Sequence, residues 1–384
     1  MSQFRSSLLG EGLTVIAEIK RRSPSAGPLR PAADPERLAR AFERAGAAAL
    51  SVLVDARFGG SLEDLKAARA ASGLPILAKG FFRADAELAQ VRAAGADAVL
   101  LILADLDDSS AARLMAVARN LGMEPLVEAH DAEELSRAVA LGADPIGLNA
   151  RDIRTYRIDR SAQLDLVART HDPVVVAESG IESRGQAAAA EIAGADAILV
   201  GSSLMRASDP EAKLAELMAR PLVKICGLTR EEDVAAAAES GADLAGFVLA
   251  ESPRRVEAPL SVPETMLSVA VFVGDAEPAG TDLVQLYPRE DGHRARDGVL
   301  LDSRRGIHVA DVFDLPWEGE DPGHWQRAAR AEGRVVLAGG LGPENVRAAA
   351  AAVRPWCVDA NRSLEVAPGA KDHSRIRAFV EAAR

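Results

Sequence analysis

Residues 91–103 read VRAAGADAVLLIL. An Ala-rich segment of helical spacing runs into Gly95, then Ala96 and Asp97, then an unbroken apolar run from Ala98 to Leu103. A glycine closing a helix supplies the left-handed turn that other residues resist, so a strand can begin within a few residues. Gly-Ala-Asp recurs at 142–144, 194–196 and 241–243, each time between a helical segment and an apolar run. Continuous rather than alternating apolar runs mark strands buried on both faces, as in parallel sheets.

The first half holds eight such runs: Val15–Lys20, Ala49–Leu53, Pro75–Lys79, Ala98–Leu103, Pro125–Glu128, Pro145–Asn149, Val174–Glu178 and Ala197–Gly201. Strand–helix alternation implies βαβ units, and eight units in about 200 residues fit a (β/α)8 barrel. A second series follows Pro221, seven by count: Leu222–Cys226, Asp243–Leu249, Ser268–Val273, Leu283–Leu286, Gly298–Asp302, Val335–Ala338 and Trp356–Asp359. Met218–Pro221 is the joint, because a helical segment ends there and a strand starts at once. The expected fold class is α/β: two (β/α)8 TIM-barrel domains in tandem, 1–220 and 221–384, the second shortened and one strand short.

The 384 residues suffice for two domains, and 48% apolar with 27% charged residues suits folded globular units. Aromatics are only 4%, so Ala, Val, Leu and Ile must build the cores. A net charge of −12 without a Lys/Arg block argues against a nucleic-acid partner, since phosphate neutralisation needs clustered positive charge. Two cysteines, Cys226 and Cys357, are too few for a disulfide framework or a Cys-rich metal site. No signal-peptide pattern opens the chain, and no apolar run reaches the roughly 18 residues of a membrane span. A cytoplasmic protein without a membrane partner is expected. His130, His171, His293, His308, His324 and His373 show no zinc-type pairing and read as surface or loop residues. Neither a phosphate loop nor a dinucleotide fingerprint is present, so no metal and no cofactor are expected.

Barrel enzymes work at the C-terminal ends of their strands. Those ends here carry Glu18, Lys20, Lys79, Glu128, Asn149, Glu178 and Ser179. One Lys or Glu at a strand end is ordinarily a solvated rim residue. Charged and amide side chains gathered on one face by five otherwise apolar strands do not fit that reading.

The stretches AEIKRRSPS (17–25), PILAKGF (75–81), EPLVEAHDAEEL (124–135), IGLNARDI (146–153), VAESGI (176–181) and LVGSSLM (199–205) resemble the indole-3-glycerol phosphate synthase family, in order, over about residues 12–206. The resemblance implies ring closure of 1-(2-carboxyphenylamino)-1-deoxyribulose 5-phosphate, with loss of CO2 and then water. By that likeness Lys79 is the general acid of closure, and Glu128 is an acid/base partner facing developing positive charge. Glu18 is a second carboxylate at the reacting centre, and Lys20 holds the substrate carboxylate. Asn149 and Arg151 orient substrate, Glu178 positions Asn149 or Lys79, and Phe81 packs on the anthranilate ring. Ser23, Ser179-Gly180 and Gly201-Ser202 bind phosphate, for which glycine admits backbone N–H groups close to the oxygens. The chain departs from the family pattern in starting almost at the first strand and in a Val54–Ser61 loop one residue short. It also has Gly80 where the family has Asp.

KICGLTREEDV (224–234), GADLAGFVLAESPRRV (241–256), VLLD (299–302), LAGGLGPENV (337–346) and VDANRSLEVAPGAKD (358–372) resemble the phosphoribosylanthranilate isomerase family. That likeness implies an Amadori rearrangement, with Cys226 as base, Asp302 as acid and Arg254 on the anthranilate carboxylate. Gly339-Gly340 and Asn361–Ser363 would bind phosphate. The family's Gln-Leu-His-Gly reads Gln285-Leu286-Tyr287-Pro288, and only 12 residues separate Tyr287 from Leu300. A helix, a strand and a second helix belong there, and one crossover alone needs a dozen residues or more.

Three readings stand together. The first is a bifunctional enzyme acting on small anionic phosphosugar–anthranilate substrates as a monomer. In the second, only the synthase works and the second barrel is a structural or interaction module. In the third, both halves act on other phosphosugars, since phosphate grips transfer between barrels. The lysine motifs at 17–25 and 75–81 speak against the third.

Overall fold

The computed structural model describes residues 3–23, 27–290, 293–315 and 323–384. The chain forms two compact units, Met1–Glu182 with Ala187–Met218, and Ser183–Gln186 with Ala219–Arg384.

In the first unit eight strands close a barrel: β1 (Thr14–Ile19), β2 (Ala49–Leu53), β3 (Ile76–Lys79), β4 (Ala98–Ile102), β5 (Glu124–Ala129), β6 (Ile146–Asn149), β7 (Val175–Glu178) and β8 (Ala197–Val200). Every neighbouring pair is parallel, including β1 with β8. Gly95, Gly142 and Gly194 turn at φ 106°, 67° and 108°, as the Gly-Ala-Asp reading requires. The aspartate of the motif has its own task. Asp97 accepts the Ile76 N–H at 2.9 Å, Asp144 that of Val174 at 2.9 Å, and Asp196 that of Val175 at 2.8 Å. Each carboxylate thus ties down the start of a neighbouring strand.

Ile16, Ala49, Leu77, Ala98, Leu126, Val176 and Leu199 fill the barrel. Phe4, from the short helix Gln3–Ser7, and Leu8 join that cluster and are fully buried. They pack against residues that open strands, so they stopper the end opposite the strand C-termini. The outer faces of the strands bury Val15, Val52, Val99 and Val127 against helix residues such as Leu38, Phe42, Leu65 and Leu114. Each such side chain contributes about 1.5–3 kcal/mol of transfer free energy. The helix Pro35–Arg44 shows the local logic: Asp34 caps the Glu36 and Arg37 amides, and Pro35 takes the first position, where no N–H is needed.

The second unit also closes on eight strands: β9 (Leu222–Ile225), β10 (Leu244–Val248), β11 (Leu267–Val273), β12 (Leu283–Tyr287), β13 (Gly298–Asp302), β14 (His308–Phe313), β15 (Val335–Leu337) and β16 (Cys357–Ala360). The expectation of a missing strand is therefore corrected. The overlooked strand is β14, whose HVADVF mixes charged and apolar residues and does not read as a buried run. What is irregular is direction. β13 runs antiparallel to both β12 and β14, while all other neighbours are parallel. The short connection after Tyr287 cannot carry a parallel crossover, so the chain doubles back as a hairpin. The described helices longer than one turn in this unit are Glu231–Glu239, His324–Ala329, Val346–Val353 and His373–Ala383. Their buried faces pack with β9, β10, β15 and β16 in one core cluster.

Candidate active sites

The C-terminal ends of the first barrel's strands enclose a cavity of about 460 Å³, lined among others by Glu18, Lys20, Lys79, Phe81, Glu128, Asn149, Arg151, Ser179, Gly180, Gly201 and Ser202. At its centre Lys79 Nζ lies 2.6 Å from Glu178 Oε2, 3.5 Å from Glu18 Oε2 and 3.9 Å from Glu128 Oε2. Lys20 Nζ pairs with Glu18 Oε1 at 2.6 Å. Four strands contribute to this cluster, and its three carboxylates are buried. Burial alone would lower the Lys79 pKa, but the charges of Glu178, Glu18 and Glu128 outweigh it and hold the ammonium above its ordinary range. Glu18 is opposed by burial yet held below the usual carboxylate range by Lys20 and Lys79. Glu178 is pushed up by burial and by the Glu128 charge, and Lys79 only partly offsets this.

Two glycines make the arrangement possible. A Cβ on Gly201 would stand 2.2 Å from Glu18 Oε1, and one on Gly147 would stand 2.3 Å from Glu178 Oε1. Gln163 Nε2 donates to the carbonyls of Leu148 and Glu178 at 2.6 Å each, fixing the ends of β6 and β7. Asn149 Oδ1 accepts the Arg151 N–H at 2.9 Å, and Glu178 Oε2 accepts from Lys79 Nζ at 2.6 Å. Ser179 and Gly180 take φ 69° and 71°, turning the chain tightly above β7. Gly201 caps the short helix Ser202–Arg206. Ser23 is buried within the strand pair Arg22–Ser23 and Gly27–Pro28, opposite Gly27, and it does not line the cavity.

Two features of this site lie outside the sequence reading. His130 sits in the cavity wall, with Nε2 3.2 Å from Glu128 Oε1 and Nδ1 2.9 Å from Glu134 Oε2. Burial lowers its pKa, but the two carboxylates overcome that and raise it to about 10. Glu128 is correspondingly held low, against burial, by His130 and Lys79. The spacing Glu-x-His-x3-Glu was the available signal. Phe81 is flanked by Phe58, at a ring separation of 6.3 Å, and by the Arg57 guanidinium, 4.4 Å from its ring centre. His324 is likewise no surface residue: it is buried, with Nε2 3.0 Å from the Ala338 carbonyl oxygen.

In the second barrel Cys226 follows β9 and is buried beside a buried ion pair, Lys224 Nζ to Asp359 Oδ2 at 2.7 Å. Burial pushes the thiol pKa up, with Lys224 opposing and Asp359 adding to the rise. Asp302 does not join Cys226. Because β13 is reversed, Asp302 pairs with Leu283 at the start of β12, at the far end of the barrel. There its carboxylate accepts the Arg304 and Arg305 amides at 2.9 Å and pairs with the Arg305 side chain. The VLLD motif carries no information on strand direction, and the short connection before it leaves the strand antiparallel to β12.

Arg254 makes its bidentate pair with Glu365, Nε to Oε1 at 2.8 Å and Nη2 to Oε2 at 2.7 Å, so an internal carboxylate occupies it. Gly339 and Gly340 turn at φ 84° and 67° after β15, and a Cβ on Gly339 would meet the Leu315 nitrogen at 2.2 Å. Ser363 Oγ bonds the Leu341 carbonyl, which brings this loop together with the Asn361–Ser363 turn after β16.

A (β/α)8 enzyme whose mouth holds two lysines among three buried carboxylates is the class that this fold and site define. Residues 2–217, more than half of the chain, match the family model for indole-3-glycerol phosphate synthase, and the chain belongs to that family. Residues 321–382 match the model for N-(5'phosphoribosyl)anthranilate isomerase. The Streptomyces griseus indole-3-glycerol phosphate synthase is 48% identical over 216 residues, 56% of this chain and 80% of that one. The Micrococcus luteus synthase is 48% identical over 213 residues, 55% and 80% of the two chains. The Thermotoga maritima phosphoribosyl anthranilate isomerase structure covers 42% of this chain and 98% of its own at 27% identity, with a TM-score of 0.33. The chain thus joins a barrel of the synthase family, which serves tryptophan biosynthesis, to a second barrel whose C-terminal part matches the isomerase model. Among the described residues no helix is long and apolar enough to cross a membrane.

Proposed function

We propose that the first barrel closes the indole ring at the Lys79 cluster. The observation that carries this reading is one lysine within 3.9 Å of three buried carboxylates from three other strands. Lys79 stays protonated there and donates its proton to the ketone oxygen as the aromatic carbon attacks the carbonyl carbon. The cationic iminium that forms lies against Glu128, whose ionised state His130 secures, and this charge stabilisation lowers the barrier to ring closure. CO2 then leaves its bonding pair to the ring, and the new hydroxyl departs as water with a returned proton. Lys20 holds the substrate carboxylate and Glu18 holds Lys20. Phe81, with Phe58 and Arg57 grouped to one side of it, provides the face for the anthranilate ring. Arg151 and Asn149 orient the substrate, and the Ser179–Gly180 and Gly201–Ser202 turns take the phosphate. Action as a cytoplasmic monomer, without nucleic acid or membrane, goes with this reading. Given 1-(2-carboxyphenylamino)-1-deoxyribulose 5-phosphate, the full chain is expected to release indole-3-glycerol phosphate and CO2 one for one. No product would overturn it.

The second barrel, on this reading, isomerises N-(5-phosphoribosyl)anthranilate at the rim that carries Cys226. The position of Asp302 favours the rival reading, a structural module, unless another acid stands at that rim. Isomerase turnover by the full chain separates the two.

A further inference from the structure

We propose that Asp314, not Asp302, is the proton donor of the second barrel, with Tyr287 as its positioning residue. The inference rests on the isomerase reading of that barrel. β14 runs parallel to β15, which in turn runs parallel to β16 and β9. The end of β14 therefore opens on the rim where Cys226 follows β9, and Asp314 is the next residue after Phe313. Asp314 Oδ2 accepts the Tyr287 hydroxyl at 3.0 Å and Arg294 Nη1 at 2.9 Å. The Asp314 amide donates to Asp297 Oδ1 at 3.3 Å.

Tyr287 ends β12, two strands away, and must reach past the reversed β13. Gly298 of that strand makes this possible: a Cβ there would stand 2.6 Å from the Leu286 carbonyl oxygen and 2.9 Å from Tyr287 Cδ1. Gln285 Nε2 donates to the Tyr287 hydroxyl at 2.6 Å, and the Arg294 guanidinium lies 4.1 Å from the Tyr287 ring centre. Two side chains thus hold one carboxyl group, and Gln285 holds one of the two. β9, β10, β11 and β12 run parallel in turn, so Tyr287 at the end of β12 and Cys226 after β9 stand on the same rim. Burial and then Asp359 raise the Asp314 pKa, while Arg294 and the Tyr287 hydrogen bond oppose. The net shift is upward, toward the proton-bearing form that a donor needs. The reversed β13 that places Asp302 at the far end is the strand across which Tyr287 meets Asp314.

In the step assigned to it, Asp314 gives its proton to the ribose ring oxygen as the bond from that oxygen to C1 breaks. The anthranilate nitrogen lone pair forms the C1=N bond. A base at the Cys226 rim then takes the C2 proton, the C–H electrons form C1=C2, and the C=N pair returns to nitrogen. The enol becomes the ketone as C1 takes a proton and the enol O–H gives its own to solvent, with no net oxidation.

Isomerase turnover of the full chain is measured for wild type, Asp314→Asn, Asp302→Asn and Tyr287→Phe, with ring closure as an expression control. Asp314→Asn should lower kcat about 100-fold or more, while KM stays within about threefold. Asp302→Asn should leave kcat within about twofold. Tyr287→Phe keeps the carboxyl group, and should lower kcat and move the basic limb of its pH profile, which a merely structural role would not do. Wild-type turnover that survives Asp314→Asn overturns the assignment, as does an unshifted profile in Tyr287→Phe. A wild type without isomerase turnover overturns the isomerase reading itself, a distinguishable result.

Discussion

Lys79 Nζ and Glu178 Oε2 lie 2.6 Å apart, though 99 positions separate them in the chain. They come from β3 and β7, and the pair aims the lysine at Glu18 and Glu128. Glu178→Gln keeps the shape and removes the charge. Ring-closure kcat is expected to fall about 10–100-fold with KM little changed, because the proton donor loses its aim. Steady-state kinetics check this, and a KM effect alone would place Glu178 in substrate binding instead.

Gly201→Ala and Gly147→Ala would each drive a methyl group onto a buried carboxylate, Glu18 or Glu178. Loss of ring closure by about 100-fold is expected in each. Circular dichroism should remain that of a folded barrel. Full activity in both variants would show that the carboxylates move freely.

Much of the first barrel was legible because its strands are unbroken apolar runs and its helices end on Gly-Ala-Asp. The lysines and carboxylates could be named because charge at the end of a buried strand is costly and stands out. His130 escaped because its partners are local residues, Glu128 and Glu134, and a histidine near a helix start reads as surface. The second barrel was legible in family but not in topology. Twelve residues after Tyr287 were rightly too few for a crossover, yet the sequence could not say that the next strand would reverse and carry Asp302 with it.

Stability should depend on His130 in a definite pH window. Its folded pKa, about 10, lies above the ordinary 6.5, so its contribution is complete below about 6.5 and fades as pH rises toward 10. The difference in urea midpoint between wild type and His130→Gln should therefore be largest near pH 6 and shrink by pH 10. A gap that widens with pH would contradict the Glu128–His130–Glu134 arrangement.

Phe4 is fully buried within the cluster that fills the first barrel. Phe4→Ala is expected to cost about 3–5 kcal/mol of stability of that barrel. Thermal unfolding of the full chain should show it, while ring-closure KM at low temperature should hold. An unchanged transition would mean that the stopper adds nothing to the barrel.

The central claim, that Lys79 is the proton donor of ring closure, is tested most directly by single-turnover kinetics of Lys79→Ala with 1-(2-carboxyphenylamino)-1-deoxyribulose 5-phosphate. The rate of indole formation should fall about 1,000-fold or more, since both proton transfer and charge stabilisation are lost, while the substrate still binds measurably. Indole formation at the wild-type rate would contradict the claim.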